Sequence, residues 1–497
     1  MPLSRRKFLH AGGMLGAAAL LGGCTRTQTA RIGPDSPQVA EAERRRRGAD
    51  AAVREVALAA AATTITLAGR EAQTWAYGDR LPGPEIRLKA GDVLRVRLDN
   101  RLPEPTTIHW HGIALRNDMD GVPGITQDPI APGSVFTYEF TVPDPGTFWF
   151  HSHSMMQLDR GLYAPLVVED PAEPGDYDRE WIVVLDDWTD GIGESPDAIL
   201  AQLQREGMSM DGMGGMGGMG GMGHGGGMAM GDGPIGADGG DVDYPLHLLN
   251  GRPPEDPETF QAAPGDRIRL RVVNAGSDTA YRLALGGHRL TVTHTDGFPV
   301  DPAEVDALVI GMGERYDLLV TAGDGVFPLV ATAEQKQGQA RALLRTSTGA
   351  TPEVSTRPDE LDRRLLNYGD LAAAAAVRLP DRSPDRTHDV LLGADMGRYR
   401  WTINGRTFDE REPLPLRAGQ LTRLAFRNMT PMFHPMHLHG HTFGIAGGGP
   451  RKDTINVRPM EQLEVDFLTD NPGDWLLHCH NLYHQESGMM TTLYYEA

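Results

Sequence analysis

Short runs in which polar and apolar residues alternate recur along most of the chain, and Gly and Pro separate them. Residues 93–98 (VLRVRL) and 268–272 (IRLRV) place an apolar side chain at nearly every second position. This period of two is typical of strands with one buried face. The pattern predicts an all-β protein built from sandwich-like domains.

An internal repeat divides the chain. A small residue and Gly, then an alternating strand, then Asn occur at residues 90–100, 264–274 and 418–428. Three copies predict three similar domains, and a chain of 497 residues is indeed too long for one compact core. The predicted domains are residues 51–172, 178–345 and 389–497. Residues 346–388 are interpreted as a surface linker that builds no core.

Four His-Xaa-His pairs stand in register with this repeat. The pairs are His109/His111, His151/His153, His437/His439 and His478/His480. The first and third follow the repeat Asn of the outer domains at equal offsets, and the other two each follow a Pro-Gly turn at equal distance. The middle domain has Leu283 and Leu285 at the matching offsets. We therefore predict that the middle domain lacks these ligands and that its role is structural.

Apart from Cys24, Cys479 is the only cysteine of the chain. Strand geometry predicts that its side chain and those of its neighbours point in opposite directions. Residues two apart on a strand point to the same face, so each His-Xaa-His pair presents two imidazoles side by side. Cys479 lies between His478 and His480 and must point to the opposite face. This arrangement predicts two metal centres on the two sides of one strand, joined by a single residue step.

A blue-copper ligand set surrounds that cysteine. Two imidazoles, one thiolate and a weak thioether bind such an electron-transfer copper, and His434, His484 and Met489 complete the set around Cys479. The matching positions of the first domain are Thr106, Ser152, Gln157 and Leu162. Only the third domain is therefore predicted to take electrons in.

The motifs HWHG at His109, HSH at His151, HPMHLHG at His434 and HCHNLYHQESGM at His478 resemble the four copper signatures of three-domain multicopper oxidases, the family of laccases and copper-resistance oxidases. The resemblance implies three consecutive cupredoxin-like domains, each a Greek-key β-sandwich. It also implies one type 1, one type 2 and two type 3 coppers. Such an enzyme oxidises its reductant one electron at a time and reduces O2 to water.

The resemblance assigns every candidate ligand. Type 1 copper takes His434, Cys479, His484 and Met489, type 2 copper takes His109 and His437, one type 3 copper takes His111, His151 and His480, and the other takes His153, His439 and His478. Surface histidines or a zinc site would explain any single pair. Zinc, however, has no redox chemistry to couple to a thiolate and thioether site.

Proton delivery involves two further positions. Asp120, in the segment 117–123 (NDMDGVP), matches an acid that family members place near the type 2 copper, and the alternative is a plain Asp-Gly turn. After the residue that corresponds to His484, several relatives have a Glu that relays protons, whereas this chain has Gln485 and then Glu486. Since Gln cannot ionise, it cannot relay protons in that way.

Residues 208–243 are dominated by Gly and Met. Candidate ligands for a Cu(I) substrate are Met208, Met210, Met213, Met216, Met219, Met222, Met228 and Met230. Thioethers prefer Cu(I), and Gly lets a chain wrap around an ion. The alternative is a low-complexity linker, which Ser would serve without the oxidation liability of Met.

Residues 1–24 have the features of an export signal. The Arg5-Arg6 pair and the apolar stretch after it, too short to span a bilayer, resemble a twin-arginine signal, and the alternative is a general secretory signal. Residues 21–24 (LGGC) resemble a lipobox that would lipidate Cys24, and the alternative is a chance Cys at a cleavage site. Residues 25–50 would then form a polar tether. We expect location in the periplasm or on the outer face of the cytoplasmic membrane.

Charge and chemistry together define the expected partners. The chain has a net charge of −20, which argues against nucleic acid. We expect a monomeric oxidase that uses O2 with Cu(I) or small phenolic and aromatic reductants, in copper tolerance. The main alternative is a laccase with an organic physiological substrate. A copper store or an envelope structural protein on this fold is a further class, but a store has no need of a wired trinuclear cluster.

Overall fold

The computed structural model describes residues 30–170, 172–173, 176–207 and 233–497. The predicted signal with Cys24 and the methionines of residues 208–230 lie outside these ranges. Within them, no helix is long and apolar enough to cross a bilayer.

The first domain consists of two four-stranded sheets around one core. Its strands are β1 (Val53–Leu67), β2 (Arg70–Tyr77), β3 (Ile86–Lys89), β4 (Val93–Asn100), β5 (His109–His111), β6 (Val135–Thr141), β7 (Gly146–His151) and β8 (Tyr163–Glu169). The sheet orders are β2-β1-β4-β6 and β3-β8-β7-β5. In β4, Val96 and Leu98 are buried while Arg97 between them is exposed, so the alternation predicted from the sequence is confirmed there.

The second domain has a six-stranded and a five-stranded sheet around a second core. Its strands are β9 (Arg179–Trp188), β10 (Leu246–Leu249), β11 (Glu258–Gln261), β12 (Arg267–Asn274), β13 (Tyr281–Leu285), β14 (Leu290–Thr295), β15 (Phe298–Val305), β16 (Leu308–Ile310), β17 (Arg315–Thr321), β18 (Val326–Ala333) and β19 (Gln339–Arg345). The sheet orders are β10-β9-β12-β17-β14-β15 and β11-β19-β18-β13-β16.

The third domain repeats this plan. Its strands are β20 (Arg386–Asp395), β21 (Arg400–Ile403), β22 (Leu414–Leu416), β23 (Leu421–Asn428), β24 (His434–Leu438), β25 (Phe443–Ile445), β26 (Arg451–Lys452), β27 (Thr454–Val457), β28 (Gln462–Leu468), β29 (Asp474–Cys479) and β30 (Met490–Tyr495). The sheet orders are β21-β20-β23-β28-β25-β26 and β22-β30-β29-β24-β27. The all-β prediction is confirmed.

Sheet register brings the histidine pairs of each outer domain together. In the first domain β5 lies beside β7, with His109 opposite His151. In the third domain β24 lies beside β29, with His437 opposite His478 and Met436 opposite Cys479. Each outer domain therefore presents two histidine-bearing strands from adjacent positions in one sheet.

The described residues contain three α-helices and several short 3-10 helices. The α-helices are α1 (Pro37–Arg46), α2 (Pro196–Glu206) and α3 (Leu482–Glu486). The 3-10 helices are Asn117–Met119, Met155–Gln157, Asp359–Asp362, Tyr368–Asp370, Ala375–Val377, Met396–Arg398 and Phe408–Glu410. The Asn481 side chain caps α3 by accepting from the backbone N–H groups of Tyr483 and His484. This cap fixes the helix that carries His484.

Part of the predicted tether belongs to the folded body. Ser36 caps α1 and Pro37 occupies its first turn. Val39 is buried, and Glu43 accepts hydrogen bonds from the backbone N–H and the hydroxyl of Thr141, both at 2.7 Å. Ile32 donates to the backbone carbonyl of Tyr495 at 2.9 Å. From residue 30 onward the segment thus joins the third domain to the first, in contrast to the predicted polar tether.

The predicted linker also contributes to a core. Leu361, Leu366, Leu371 and Ala373 are buried, and Leu366 and Leu371 belong to the core of the second domain. The expectation that residues 346–388 build no core is therefore corrected. The apolar residues of this segment follow neither strand nor helix periodicity, so no local pattern indicated their burial. The first strand of the third domain, β20, begins at Arg386, inside the predicted linker.

Candidate metal centre

Eight imidazoles converge between the first and third domains. The four His-Xaa-His pairs supply all of them, and each ring is at most 7% exposed. The Nε2 atoms of His109 and His437 lie 3.4 Å apart, and those of His439 and His478 lie 3.0 Å apart. The two contacts join residues that are 328 and 39 positions apart in the chain. We call these eight residues the histidine cluster.

In most of these rings one nitrogen is held by a protein acceptor. The bonds are His109 Nδ1 to the Asp120 carbonyl (3.0 Å), His111 Nε2 to Asp453 Oδ1 (3.0 Å), His151 Nδ1 to the Ser152 carbonyl (2.8 Å), His437 Nδ1 to the Asp453 carbonyl (2.9 Å), His439 Nδ1 to Asp120 Oδ2 (2.9 Å) and His478 Nδ1 to the Cys479 carbonyl (3.0 Å). A ring that donates through one nitrogen keeps a lone pair on the other. Those lone pairs are available to a cation.

The remaining nitrogens fit a metal site. His111 Nδ1, His151 Nε2, His153 Nε2 and both nitrogens of His480 are buried without a hydrogen-bond partner among the described residues. Burial lowers the pKa of these rings, that of His153 to about 3. The rings are therefore neutral, and neutral imidazole is the form that binds metal ions.

The cluster resolves into smaller groups. Donor atoms lie within 4.8 Å of one another in His153/His439/His478, which is the set that the sequence predicted for one type 3 copper. His109 and His437, the predicted type 2 pair, form such a group with His439. In the other predicted type 3 set, the donor atoms of His111 and His151 form a group of this kind with His109. The ring centroid of His480, the third member of the set, lies 5.0 Å from that of His111.

The second centre lies around Cys479. Its Sγ is 3.6 Å from Nδ1 of both His434 and His484, whose Nδ1 atoms are 3.1 Å apart. Met489 is fully buried in the same core, and its backbone carbonyl accepts from Cys479 N at 3.0 Å. Burial raises the pKa of the Cys479 thiol, so a bound cation is the group that would hold it as a thiolate. We call these four residues the thiolate centre.

The first domain lacks a comparable centre. At the matching positions, Gln157 Oε1 accepts from the hydroxyls of Thr106 (2.7 Å) and Ser152 (2.8 Å), and Leu162 is buried in the domain core. Hydrogen bonds thus satisfy this polar group internally. That the first domain holds no type 1 copper stays a prediction.

Asp120 lies inside the histidine cluster and not on a surface turn. It is fully buried, and its Oδ2 accepts from His439 Nδ1 while its carbonyl accepts from His109 Nδ1. The Gly121 that follows has φ +81°, and a Cβ there would lie 1.8 Å from the Ile108 carbonyl. The Asp-Gly turn therefore exists, and it is what places the carboxylate against the rings.

Gln485 and Glu486 lie beside the thiolate centre. Gln485 Nε2 donates to Glu486 Oε1 at 2.9 Å. Burial raises the pKa of the Glu486 carboxyl. An ionisable group thus lies one residue beyond the position at which several relatives have a Glu.

Sequence reasoning missed three polar residues of the site. Asp453 contacts His111 and His437, Arg315 pairs with Asp453 through Nη1 (2.7 Å) and Nη2 (2.6 Å), and Asp241 Oδ2 accepts from His484 Nε2 (2.8 Å). Burial alone would raise the pKa of Asp453, but the Arg315 guanidinium and His111 hold it well below its usual range. None of the three belongs to a motif or repeat that could have marked it.

Comparison with known proteins identifies the family. Family models described as multicopper oxidase match residues 59–173, 179–349 and 381–497. The chain belongs to the multicopper oxidase family. It is therefore an oxidoreductase that uses copper and O2, with cupredoxin-like domains, as the sequence resemblance implied.

Individual relatives span nearly the whole chain. It is 48% identical to the multicopper oxidase MmcO of Mycobacterium tuberculosis, over 99% of this chain and 96% of that protein. It is 29% identical to a copper resistance protein A homolog of Pseudomonas syringae, over 86% and 90%. Among solved structures, a laccase from Botrytis aclada matches with TM-score 0.71, 27% identity and coverage of 89% and 88%.

Proposed function

We propose that this oxidase binds four coppers in the two centres described above. The thiolate centre would hold the type 1 copper through His434, Cys479, His484 and Met489. In the histidine cluster, His109 and His437 would hold the type 2 copper, His111, His151 and His480 one type 3 copper, and His153, His439 and His478 the other. The observation that supports this most is Cys479, whose thiol meets one centre while both flanking histidines belong to the other.

The protein groups have distinct tasks in this mechanism. Bound copper would supply one-electron redox chemistry at the thiolate centre and O2 chemistry at the histidine cluster. The strand step from Cys479 to His478 and His480 joins the two centres covalently. Asp120 and Asp453 hold ring nitrogens by hydrogen bonds, which fixes ring orientation. Asp120 also stands where it can pass protons to the cluster.

For the reductant, we propose Cu(I) with phenols as secondary substrates. Asp241 accepts a hydrogen bond from the His484 ring. It also lines a cavity of about 430 Å³ whose wall includes Glu194, Glu206 and Asp243. Carboxylates there favour a cationic reductant. An acid next to the ring would also accept the proton of a phenol, which supports phenols as secondary substrates.

Thioethers at the protein surface favour Cu(I). Met429 and Met460 are 58% and 52% exposed. They flank the last hydrogen bond at one end of the β23–β28 pair, which the backbone N–H of Asn428 donates to the Glu461 carbonyl. Gly236, just after the Met/Gly run, packs on Pro459 beside Met460. Thr430, beside Met429, contacts His434 Nε2 at 2.7 Å. The chain from residue 233 onward thus lies beside exposed thioethers that are close to the thiolate centre.

Deleting Met208 to Met230 should lower Cu(I) oxidation and leave phenol oxidation at least as fast. Phenols need only an open path to a type 1 histidine, whereas Cu(I) would lose its soft ligands. Both rates should be measured by O2 uptake at equal copper content. A full-length variant with the eight methionines of the run changed to Ser separates loss of thioethers from loss of chain length. Unchanged Cu(I) oxidation in both variants would make the run a linker and favour the laccase alternative.

Met489→Leu should raise the reduction potential of the type 1 copper. At the axial position even a weak donor stabilises Cu(II) relative to a site without one, and Leu removes the donor atom at similar size. Redox titration of the blue band measures the change. A lower potential would contradict the assignment of Met489 and direct attention to Met490, which pairs with His478 in the sheet.

We also propose export by the twin-arginine signal, lipidation at Cys24, and a monomer in the periplasm or on the outer face of the cytoplasmic membrane. The domain bounds 51–172, 178–345 and 389–497 belong to the same proposal. The family matches begin and end near these bounds. Mass spectrometry of the mature N-terminus and light scattering would test processing and oligomeric state.

A further inference from the structure

A loop of the middle domain reaches the histidine cluster. Residues 311–314 lie between β16 and β17, and Gly313 has φ +84°. A Cβ added to Gly313 would lie 2.8 Å from His480 Cδ2 and 3.1 Å from His111 Cε1. The backbone therefore lies directly against two rings of the cluster, at a distance that a larger residue would not allow.

Arg315, at the end of this loop, contacts all three domains. It is fully buried, and its Nη1 and Nη2 bind both carboxylate oxygens of Asp453 in the third domain. Its Nε donates to the Thr147 carbonyl in β7 at 3.2 Å, and its Nη1 donates to the Gly313 carbonyl at 3.1 Å. A two-pronged guanidinium contact of this kind fixes a carboxylate in both position and plane.

Asp453 in turn holds two stacked rings in opposite ways. Its Oδ1 accepts from His111 Nε2 (3.0 Å), so His111 keeps Nδ1 for the cluster. Its carbonyl accepts from His437 Nδ1 (2.9 Å), so His437 keeps Nε2. The two rings stack with centroids 3.8 Å apart and planes at 13°. Thr454 Oγ1 lies 3.1 Å from the same nitrogen of each ring and donates to Asp453 Oδ1 at 2.9 Å. Asp453, together with the hydroxyl that it orients, therefore sets which nitrogen each ring presents.

The middle domain also anchors the backbone of Asp453. Asp296 Oδ2 accepts from the backbone N–H of Asp453 (3.1 Å) and of Thr454 (3.2 Å), and Asp296 Oδ1 accepts from Arg315 N (2.8 Å). Lys452, fully buried, lies 3.2 Å from Asp296 and 3.0 Å from Glu314. Asp453, which lies between β26 and β27, is thus held by the middle domain through its own backbone and through its neighbours Lys452 and Thr454.

We propose that Arg315 of the middle domain is a positioning residue for the trinuclear copper site. Through Asp453 it sets the nitrogen that His111 and His437 present to a type 3 and the type 2 copper. The middle domain, expected to be only structural, therefore supplies part of the site, although the residues proposed to bind the trinuclear coppers all belong to the first and third domains. This inference rests on the copper assignment proposed above.

Arg315→Met tests the proposal, with Arg315→Lys as the conservative variant. In Arg315→Met we expect the type 2 EPR signal per protein to fall by half or more, or its hyperfine splitting to shift, and O2 turnover to fall about 10- to 100-fold. The blue type 1 band should persist, because the thiolate centre has no contact with Arg315. Arg315→Lys should lie between the Met variant and the wild type, since Lys keeps the charge but not the two-pronged contact.

Arg271→Met is the matched control. Arg271 is also a buried arginine of the middle domain that contacts Thr147 (3.0 Å) and an aspartate, Asp317 (3.1 Å), but it does not contact Asp453. We expect it to keep wild-type type 2 and type 3 spectra. An equal loss in Arg271→Met, or an unchanged type 2 signal with full turnover in Arg315→Met, would overturn the positioning role.

Two further measurements keep the outcome decisive. If Arg315→Met shows no blue band and so does not fold, Asp453→Asn decides, because it keeps the shape of the side chain but weakens the acceptor of His111, a proposed type 3 ligand: altered type 3 spectra support the proposal, and unaltered type 3 spectra overturn it. If the wild type itself shows no type 2 signal, the copper assignment fails, and the inference fails with it. The wild-type spectrum thus distinguishes the two failures.

Discussion

Cys479→Ser is expected to abolish both the blue absorption and oxidase turnover while copper still binds in the histidine cluster. The blue band arises from charge transfer between thiolate and copper, and Ser supplies no thiolate. The same residue joins the two centres, since its Sγ lies 3.6 Å from Nδ1 of His434 and of His484 and its neighbours belong to the cluster. Absorption at the blue band, EPR and O2 uptake measure the three properties.

The type 2 signal provides the control for this variant. If Cys479→Ser retains that signal, the fold and the histidine cluster are intact, and the loss of turnover belongs to the thiolate. A blue band of normal intensity in the Ser variant would contradict the proposed type 1 site. Turnover at the wild-type rate would show that electrons reach the cluster by a route other than this strand.

The sequence predicted the two centres because strand periodicity is a local property. Residues two apart on a strand share a face, so the opposite directions of Cys479 and its flanking histidines followed without any knowledge of the fold. The repeat then showed that His109 and His437 occupy equivalent positions, at equal offsets from Asn100 and Asn428. The family resemblance implied that these two residues share a copper, and their Nε2 atoms lie 3.4 Å apart.

The residues behind the ligands could not be predicted in this way. Arg315 and Asp453 come from different domains, and nothing in the local pattern of either marks a role, since charged residues are common at strand ends. Only the packing of the middle domain against the third brings them together and buries both fully. The comparison of the repeats did not indicate Arg315 or Asp453, because it considered histidines, and the second domain has none at the matching positions.

Irregular segments were misjudged for a related reason. The buried Leu361, Leu366 and Leu371 lie in turns and 3-10 helices, where apolar spacing follows no single period. Helix α1 is short, and its apolar content is low, with Val39 as its one buried hydrophobic residue. Its place in the fold depends on contacts such as Glu43 with Thr141, which no local pattern reveals.

Asp120 offers the most direct test of proton delivery. Its carboxylate accepts from His439 Nδ1 at 2.9 Å, and its other oxygen, Oδ1, lies 3.2 Å from His109 Nδ1. Two residues earlier, the carboxylate oxygens of Asp118 accept from Nε and Nη2 of Arg116, both at 2.6 Å. Within the described residues, Asp118 has no hydrogen bond to a ring of the histidine cluster. The two aspartates therefore differ in their contact with the cluster and lie close enough in sequence to serve as site and control.

Asp120→Asn should slow O2 turnover about 100-fold, the range in which a positioned acid or base contributes, while type 1 copper still takes electrons at the wild-type rate. Asn keeps the shape and one acceptor for His439 but cannot carry a proton. Stopped-flow bleaching of the blue band without O2 measures electron entry, and O2 uptake measures the complete reaction. Asp118→Asn should leave both rates unchanged. Slower anaerobic bleaching in Asp120→Asn would show that the residue supports electron transfer between the centres. Unchanged O2 uptake would show that Asp120 has only a structural role in a buried turn.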